Sequence, residues 1–211
     1  MPVALIVDIV GSRRIPDRVA AQGDLDAAIA RVTNDLPVAL TPLHPIVGDE
    51  MQAVYPDVGT AIRASLLVQL ALPDAVECRF GAGAGEVGVV PSAAGDISDG
   101  PGWWAAREAI EEVERLARRT APSARTRLAA AADQPVEIRA GVGTVNAYLI
   151  ARDQLVGAMS ERTRRLTYGR CLGITQRELA EAEGITQSAV SQALTTSGAA
   201  AVVEGFHLLA G

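Results

Sequence analysis

The sequence predicts a mixed fold of strands and helices, α/β or α+β, from residue 1 to about residue 131, followed by a helical segment. Apolar residues alternate between strand-like and helix-like spacing along the first part. A Gly-Asp pair, Gly48 and Asp49, separates two short apolar runs, as in a β-hairpin. From Val145 to about Tyr168 the pattern is helical. The expected order of the first part is β-α-β-β-α-β-α-β.

The first half of this order is a strand, a helix and a hairpin. The run VALIVDI begins at Val3 and is apolar enough for a strand that is buried on both faces. Helical spacing follows Asp24, which is a suitable N-cap residue. The hairpin comes next, in LTPLHPIVGDEMQAVYP.

The second half is a helix, a glycine-rich strand, another helix and a last strand. The helix VGTAIRASLLVQLAL is closed by Pro73, the amphipathic helix PGWWAAREAIEEVERLARR begins at Pro101, and ARTRLAAAA is the last strand. The strand VECRFGAGAGEVGVV lacks the third glycine of a dinucleotide-binding loop, because Glu86 takes that position. We expect its glycines to allow a close backbone approach or a bulge. They are Gly81, Gly83 and Gly85.

Composition restricts the possible functions. The chain of 211 residues is 49% hydrophobic and carries a net charge of −6, which argues against nonspecific coating of nucleic acid but not against a small DNA-reading module. All 19 basic residues are arginine, which excludes a P-loop and Schiff-base lysines. No apolar run is long enough for a membrane helix, so we expect a cytoplasmic protein with no membrane partner. The spacing of Cys78 and Cys171 excludes a zinc site, and we expect both to be buried.

Asp8 is a charged residue inside the first, apolar strand. A buried, unpaired carboxylate is unfavourable, so Asp8 needs a partner or a cation. If the hairpin pairs with this strand, the carboxylates of Asp8 and Asp49 converge, and they then form a hard-oxygen site for Mg²⁺ or Mn²⁺. In the alternative, Asp8 caps a helix and Asp49 makes an Asx-turn.

Phosphate-binding residues are expected around this pair of carboxylates. The segment after Asp8 predicts a turn or helix start whose backbone N–H groups face phosphate oxygens, with added positive charge from Arg13 and Arg14. The residues expected to contact a nucleotide here are Gly11, Ser12, Arg13 and Gly48.

The segment TQRELAEAEGITQSAVSQAL fits a helix-turn-helix over residues 175–195, with Gly184 in the turn and Thr186 as N-cap of the second helix. We expect this helix to contact DNA through Thr186 at its start and through its outward polar residues, Gln187, Ser188, Ser191 and Gln192. Phosphate contacts are expected from arginines of the preceding helix: Arg162, Arg164, Arg165 and Arg170. In the alternative, the two helices serve for packing or dimerisation.

The expected domains are residues 1–132, a connector at residues 133–144, and a helical domain at residues 145–211. Residues 148–211 contain six arginines and six acidic residues, so the surplus of negative charge lies in the preceding part.

Four segments carry a resemblance to a known family. VDIVGSR, VGDEMQAVY, RFGAGAGEV and DGPGWWAAR, in this order and ahead of the helix-turn-helix, resemble the bacterial SatD family over nearly the whole chain. At greater distance they are similar to the palm-type, ferredoxin-like α+β fold of class III nucleotidyl cyclases and diguanylate cyclases. That similarity implies a nucleotide ligand, a homodimer, and metal binding by Asp8 and Asp49.

The chain departs from the cyclase pattern at two points. Class III cyclases usually carry an Asn four residues before an Arg; Arg107 matches the Arg, but Trp103 stands at the Asn position. The lysine that selects the base has no counterpart. We therefore expect a DNA-binding transcriptional regulator whose palm-like domain binds nucleotide and Mg²⁺. The alternatives are a Mg²⁺-dependent cyclase-like enzyme in which Arg107 contacts phosphate, and a scaffold that binds only protein.

Overall fold

The computed structural model describes residues 1–93 and 97–210. The strands are β1 (Val3–Ile9), β2 (Thr41–Val47), β3 (Glu50–Tyr55), β4 (Cys78–Ala84), β5 (Gly88–Val90), β6 (Ile97–Asp99) and β7 (Thr126–Ala130). The helices are α1 (Arg18–Asp35), α2 (Val58–Ala71), α3 (Pro101–Arg119), α4 (Val136–Gly157), α5 (Glu161–Cys171), α6 (Gln176–Glu183), α7 (Gln187–Thr196) and α8 (Ala199–Leu208). The fold is α+β, as the sequence predicts, and the small β5–β6 hairpin is an addition to the predicted order.

The main sheet has the strand order β2-β3-β1-β4-β7. β1 lies at its centre and pairs antiparallel with both β3 and β4, whereas β7 is parallel to β4. The elements from β1 to β4 follow the β-α-β-β-α-β order of ferredoxin-like folds. Side chains of β1 alternate between the two faces: Val3 and Leu5 belong to the core that includes α1 and α2, and Ala4 and Ile6 pack with α3.

Helix α3 lies directly on the backbone of β4. A Cβ atom added at Gly81, Gly83 or Gly85 would come closer than 3.0 Å to backbone atoms of α3. The expectation that these glycines allow a close approach is therefore confirmed. Side chains on the same face of the sheet as α3 consequently lie beside this helix.

The helices after β7 share the main core with the sheet. Asn146 of α4 both accepts a hydrogen bond from the backbone N–H of Leu128 and donates one to its carbonyl oxygen. Tyr168 of α5 donates a hydrogen bond to Asp35 at the end of α1. Within the described residues, no helix is long and apolar enough to cross a membrane.

Several predicted boundaries are wrong. Helix α1 begins at Arg18, seven residues before the position implied by an N-cap at Asp24, and Asp17 is its N-cap. Most of the expected connector at residues 133–144 belongs to α4, which begins at Val136. The continuous helix expected from residue 145 to about residue 168 is two helices, α4 and α5. The division of the chain into domains stays a prediction.

Both cysteines are buried, but only one of the two tryptophans is. Cys78 and Cys171 are buried and free, as expected. Trp103 is buried, but Trp104 is 64% exposed and donates a hydrogen bond from Nε1 to Asp99. Of the two adjacent tryptophans, Trp103 therefore belongs to the core and Trp104 to the surface.

Candidate functional site

A cleft of about 900 Å³ opens where β1 ends and the chain turns toward α1. We call it the arginine cleft. Among the described residues, its charged lining comprises five arginines and four acidic residues: Arg13, Arg14, Arg79, Arg118, Arg125, Asp8, Asp49, Glu50 and Glu114. This lining has a formal charge of +1 (five minus four) in a chain whose net charge is −6. The cleft lining is therefore more favourable for an anionic ligand than the average composition of the chain.

The two carboxylates predicted to converge do lie together at this cleft. Asp49 lies in the turn between β2 and β3, and its Oδ2 accepts a hydrogen bond from the backbone N–H of Ile9 at 3.3 Å. Asp8 lies within β1, so the alternative in which it caps a helix is wrong. The charge of Asp49 also acts on Asp8 and contributes to raising its pKa.

The partner of Asp8 in the structure is Arg79, its register partner on β4. The guanidinium donates from Nε to Oδ1 at 2.8 Å and from Nη2 to Oδ2 at 3.0 Å. Its Nη1 forms an ion pair with Glu114 of α3 at 2.9 Å. Burial raises the pKa of Asp8 and Arg79 lowers it, and the net shift is upward. Asp8 is thus partly buried beside a cation that belongs to the chain itself.

The carboxylates suit a hard cation in their chemistry. Asp8 and Asp49 offer oxygen ligands, and a carboxylate has about four lone-pair sites, of which Arg79 uses two at Asp8. Within residues 1–93 and 97–210, no group of three or more His, Cys, Asp or Glu is arranged to hold a metal. A cation at Asp8 and Asp49 would therefore take its other ligands from water and from a bound phosphate, as Mg²⁺ usually does.

The segment after β1 forms a tight turn at the cleft. Gly11 has a φ of 66°, and Ser12–Arg14 form a short 3₁₀ turn. The backbone N–H of Val10 donates to the carbonyl oxygen of Glu77 at 2.8 Å, which ties the start of this turn to the residue before β4. Glycine is favoured at position 11 because other residues rarely adopt a positive φ.

Two of the expected nucleotide contacts lie outside the arginine cleft. Gly48 lines a neighbouring groove between the hairpin and α1. Arg107 forms an ion pair with Glu50 at 2.6 Å, and its side chain is 47% exposed. This ion pair raises the pKa of Arg107. The structure therefore brings together Asp8, Asp49 and the 11–13 segment, and leaves Gly48 and Arg107 beside them.

A buried polar network that was not predicted from the sequence contacts the cleft residue Arg125. Asp153 and Arg152 of α4 form an ion pair at 2.7 Å with both side chains fully buried. Asp153 Oδ2 also accepts the backbone N–H groups of Arg125 and Thr126, each at 2.7 Å. Arg125 forms an ion pair with Glu77. Two adjacent charges inside an apolar helical stretch are the signal that could have indicated this network.

Helix α7 exposes the polar residues that were expected to contact DNA. Helices α6 and α7 are joined by a short turn with Gly184 at a φ of 64°, and Thr186 caps α7 through the N–H of Ala189. The outward residues of α7 are exposed: Gln187, Ser188, Ser191 and Gln192.

The arginines expected to bind DNA phosphates are engaged elsewhere. Arg164 is largely buried and binds Asp74 and the carbonyl oxygen of Leu72, so a DNA phosphate would have to displace these partners. Arg165 is bound at both Nε and Nη2 by Glu183, each at 2.7 Å. A phosphate contact from Arg165 would have to compete with this ion pair.

Comparisons with known proteins give a family and distant structural neighbours. The sequence model of the SatD family matches residues 2–118. A bacterial light-regulated adenylyl cyclase shares 16% identity at a TM-score of 0.45, covering 69% of this chain and 79% of that chain. The guanylate cyclase domain from Catenaria anguillulae, in complex with GTP, shares 16% identity at a TM-score of 0.40, covering 52% and 71%. The guanylyl cyclase domain from the aquatic fungus Blastocladiella emersonii shares 15% identity at a TM-score of 0.40, covering 52% of this chain and 72% of that chain. A search of curated proteins found no significant match.

Proposed function

The chain belongs to the SatD family, and we propose that it binds a nucleotide, through its phosphates, in the arginine cleft, together with a divalent cation at Asp8 and Asp49. The observation that carries this proposal is the placement of five arginines around two converging carboxylates. Guanidinium groups bind phosphate oxygens in bidentate geometry and keep their charge at any physiological pH.

The roles within the site follow from position and charge. Arg13 and Arg14 lie on the exposed turn after β1. Arg118 lines the cleft from α3, with 76% of its side chain exposed and its Nη2 bound to Glu114 at 2.8 Å. These three guanidinium groups are accessible to phosphate oxygens. Asp8 and Asp49 would hold the cation, which would neutralise phosphate charge. Arg79 keeps Asp8 charge-balanced in the absence of a ligand.

Thermal unfolding in the presence of ligands tests this proposal. Inorganic triphosphate, ATP and GTP, each with Mg²⁺, should raise the melting temperature, whereas the corresponding nucleosides should not, because a ligand stabilises only through binding to the native state. Arg118→Met should weaken triphosphate binding several-fold in calorimetry. Arg177→Met, which neutralises an exposed arginine of α6, is the matched control. Equal triphosphate affinities in wild type and both variants would contradict the proposal.

We also propose that the α6–α7 segment binds DNA, as a regulator would. The support is the exposed face of uncharged polar side chains on α7, at the length and turn geometry of a helix-turn-helix. Because Arg165 is held by Glu183, we expect weak and salt-sensitive binding in which α7 supplies sequence preference.

Selection of sequences from random DNA by the full chain tests this second proposal. Combined Gln187→Ala and Gln192→Ala substitution should abolish sequence preference while most of the nonspecific affinity remains. Gln154→Ala, at an exposed glutamine of α4, should change neither property. Failure of the wild-type chain to enrich any sequence would leave α6 and α7 with a structural role.

A homodimer is the remaining proposal. The chain exposes large apolar side chains at the β5–β6 hairpin and the start of α3, namely Val89, Val90, Ile97 and Trp104. Clustered exposed apolar residues often mark an interface. Light scattering should give twice the mass of one chain, and Ile97→Asp should shift the protein toward one chain. A monomer at all concentrations would exclude the homodimer.

A further inference from the structure

The contact between Asp8 and Arg79 has an unusual position. The two residues are register partners in adjacent central strands, and both side chains lie on the face covered by α3. The guanidinium binds both carboxylate oxygens at 2.8 and 3.0 Å. Arg79 thus holds the one carboxylate of the proposed cation site that lies within a strand.

Arg79 also has a second acidic partner. Its Nη1 binds Glu114 Oε1 at 2.9 Å, and this contact lowers the pKa of Glu114. The side chain of Arg79 is only 14% exposed, so a guanidinium that left Asp8 for solvent would have to cross packed surroundings. Glu114, 35% exposed at the wall of the cleft, offers a partner that Arg79 can keep while it moves. Arg79 is thus paired with two carboxylates at once and would stay paired with Glu114 if it lost Asp8, although Glu114 Oε1 also binds Nη2 of Arg118 at 2.8 Å.

A divalent cation bound by Asp8 and Asp49 would compete with Arg79 for the negatively charged carboxylate of Asp8. Asp8 and Asp49 lie at the same end of β1, where Asp49 accepts a hydrogen bond from the backbone N–H of Ile9. A cation beside Asp8 would lie within a few ångströms of the Arg79 guanidinium, at a distance where like charges repel strongly in a partly buried site. Simultaneous occupation of Asp8 by both groups is therefore unfavourable.

We propose that Arg79 is an exchangeable internal counter-ion, which a divalent cation displaces from Asp8 toward Glu114. In the absence of the cation, Arg79 neutralises Asp8 and keeps the acidic pair closed to weakly bound metal. When the cation binds, the released guanidinium turns to Glu114 and to the space of the cleft, where it adds positive charge for a phosphate group. The inference rests on the cation site of the proposed function and adds its regulation.

Binding of Mn²⁺ alone, without nucleotide, measures the exchange directly. Titration of the full chain, followed by electron paramagnetic resonance of free Mn²⁺, should show an affinity at least about tenfold higher for Arg79→Met than for wild type. Glu114→Gln should have the opposite effect, because Arg79 then loses its alternative partner and stays on Asp8. Arg115→Met neutralises a half-exposed arginine on the same helix outside the cleft, and it should stay within about twofold of wild type because solvent screens its charge.

A second measurement covers the case in which Arg79→Met does not fold. In wild type, the Nε–H signal of Arg79 in ¹⁵N NMR should shift when Mg²⁺ alone is added, and Asp8→Asn should abolish the Mg²⁺ effect. Each of three results would overturn the proposal. The first is an unchanged Arg79 signal at saturating Mg²⁺, the second is equal Mn²⁺ affinity of wild type and Arg79→Met, and the third is no Mn²⁺ binding by either protein. Mn²⁺ binding with the expected variant order but no triphosphate binding would refute the proposed function and leave the exchange intact.

Discussion

Replacement of Asp153 by asparagine should remove about 3–5 kcal/mol from the free energy of unfolding, because it leaves a buried charge unpaired. The carboxylate of Asp153 is fully buried and binds the equally buried guanidinium of Arg152 at 2.7 Å. It also accepts the backbone N–H groups of Arg125 and Thr126. The substitution retains the shape of the side chain and one carbonyl oxygen, but it removes the negative charge and places an NH₂ group among donors.

The magnitude depends on how completely the pair is buried. An exposed ion pair contributes about 0–1 kcal/mol, whereas the loss of one partner of a buried pair costs several times more. Glu183→Gln, which breaks the more exposed pair with Arg165, is the matched control and should lower stability by less than about 1 kcal/mol. Since a domain has a stability of about 5–15 kcal/mol, Asp153→Asn should remove a large part of it.

Urea denaturation followed by circular dichroism measures both variants. The midpoint of Asp153→Asn should fall well below those of wild type and Glu183→Gln, at an unchanged slope. If Asp153→Asn lost less than about 1 kcal/mol, the charge of Arg152 would have to be compensated by water or by another group, and the reasoning from burial would be wrong.

Three further predictions concern the site and its supporting strand. Because burial raises the pKa of Asp8, its stabilising contribution is complete below the unfolded value of 3.8 and is lost as the pH rises through the folded pKa. The melting temperature of Asp8→Asn relative to wild type should therefore increase as the pH is raised above 3.8, and a constant difference would contradict this. Gly83→Ala should lower stability by about 1–3 kcal/mol in denaturant titrations because its Cβ would meet the backbone of α3, whereas Gly141→Ala, with open space around it, should not. Because Trp103 stands at the Asn position of cyclases, ATP and GTP with Mg²⁺ or Mn²⁺ should be turned over negligibly, and a cyclic product formed at enzymatic rates would favour the enzyme alternative.

The order of elements could be predicted because each depends on local patterns. Apolar periodicity indicates the strands and helices, and the pair Gly48-Asp49 marks the hairpin that brings Asp49 beside the end of β1. The convergence of Asp8 and Asp49 followed from that pairing. The starts of α1 and α4 were wrong because caps and tertiary packing, not periodicity, determine where these helices begin.

The contacts of the arginines could not be predicted from local patterns. Arg164 is buried against the loop after α2, at a sequence separation of 90 residues from Asp74, and no spacing rule reveals this. The sequence contains a weak indication of the pairing between Arg79 and Asp8. Each is a charged residue within an otherwise apolar or glycine-rich strand, and the two charges are opposite. The register of β1 and β4 was needed to convert this signal into a contact.

The glycines of β4 also determine which parts of the cleft can adapt to a ligand. Side chains usually separate a helix from a sheet and let it slide by a small amount when they change rotamer. Backbone lies on backbone at Gly81 and Gly83, so α3 has no such layer over β4, and a shift of the helix toward this strand would meet its backbone directly. We therefore expect a ligand in the cleft to be accommodated by rotation of arginine side chains and by the turn after β1, rather than by movement of α3 toward β4.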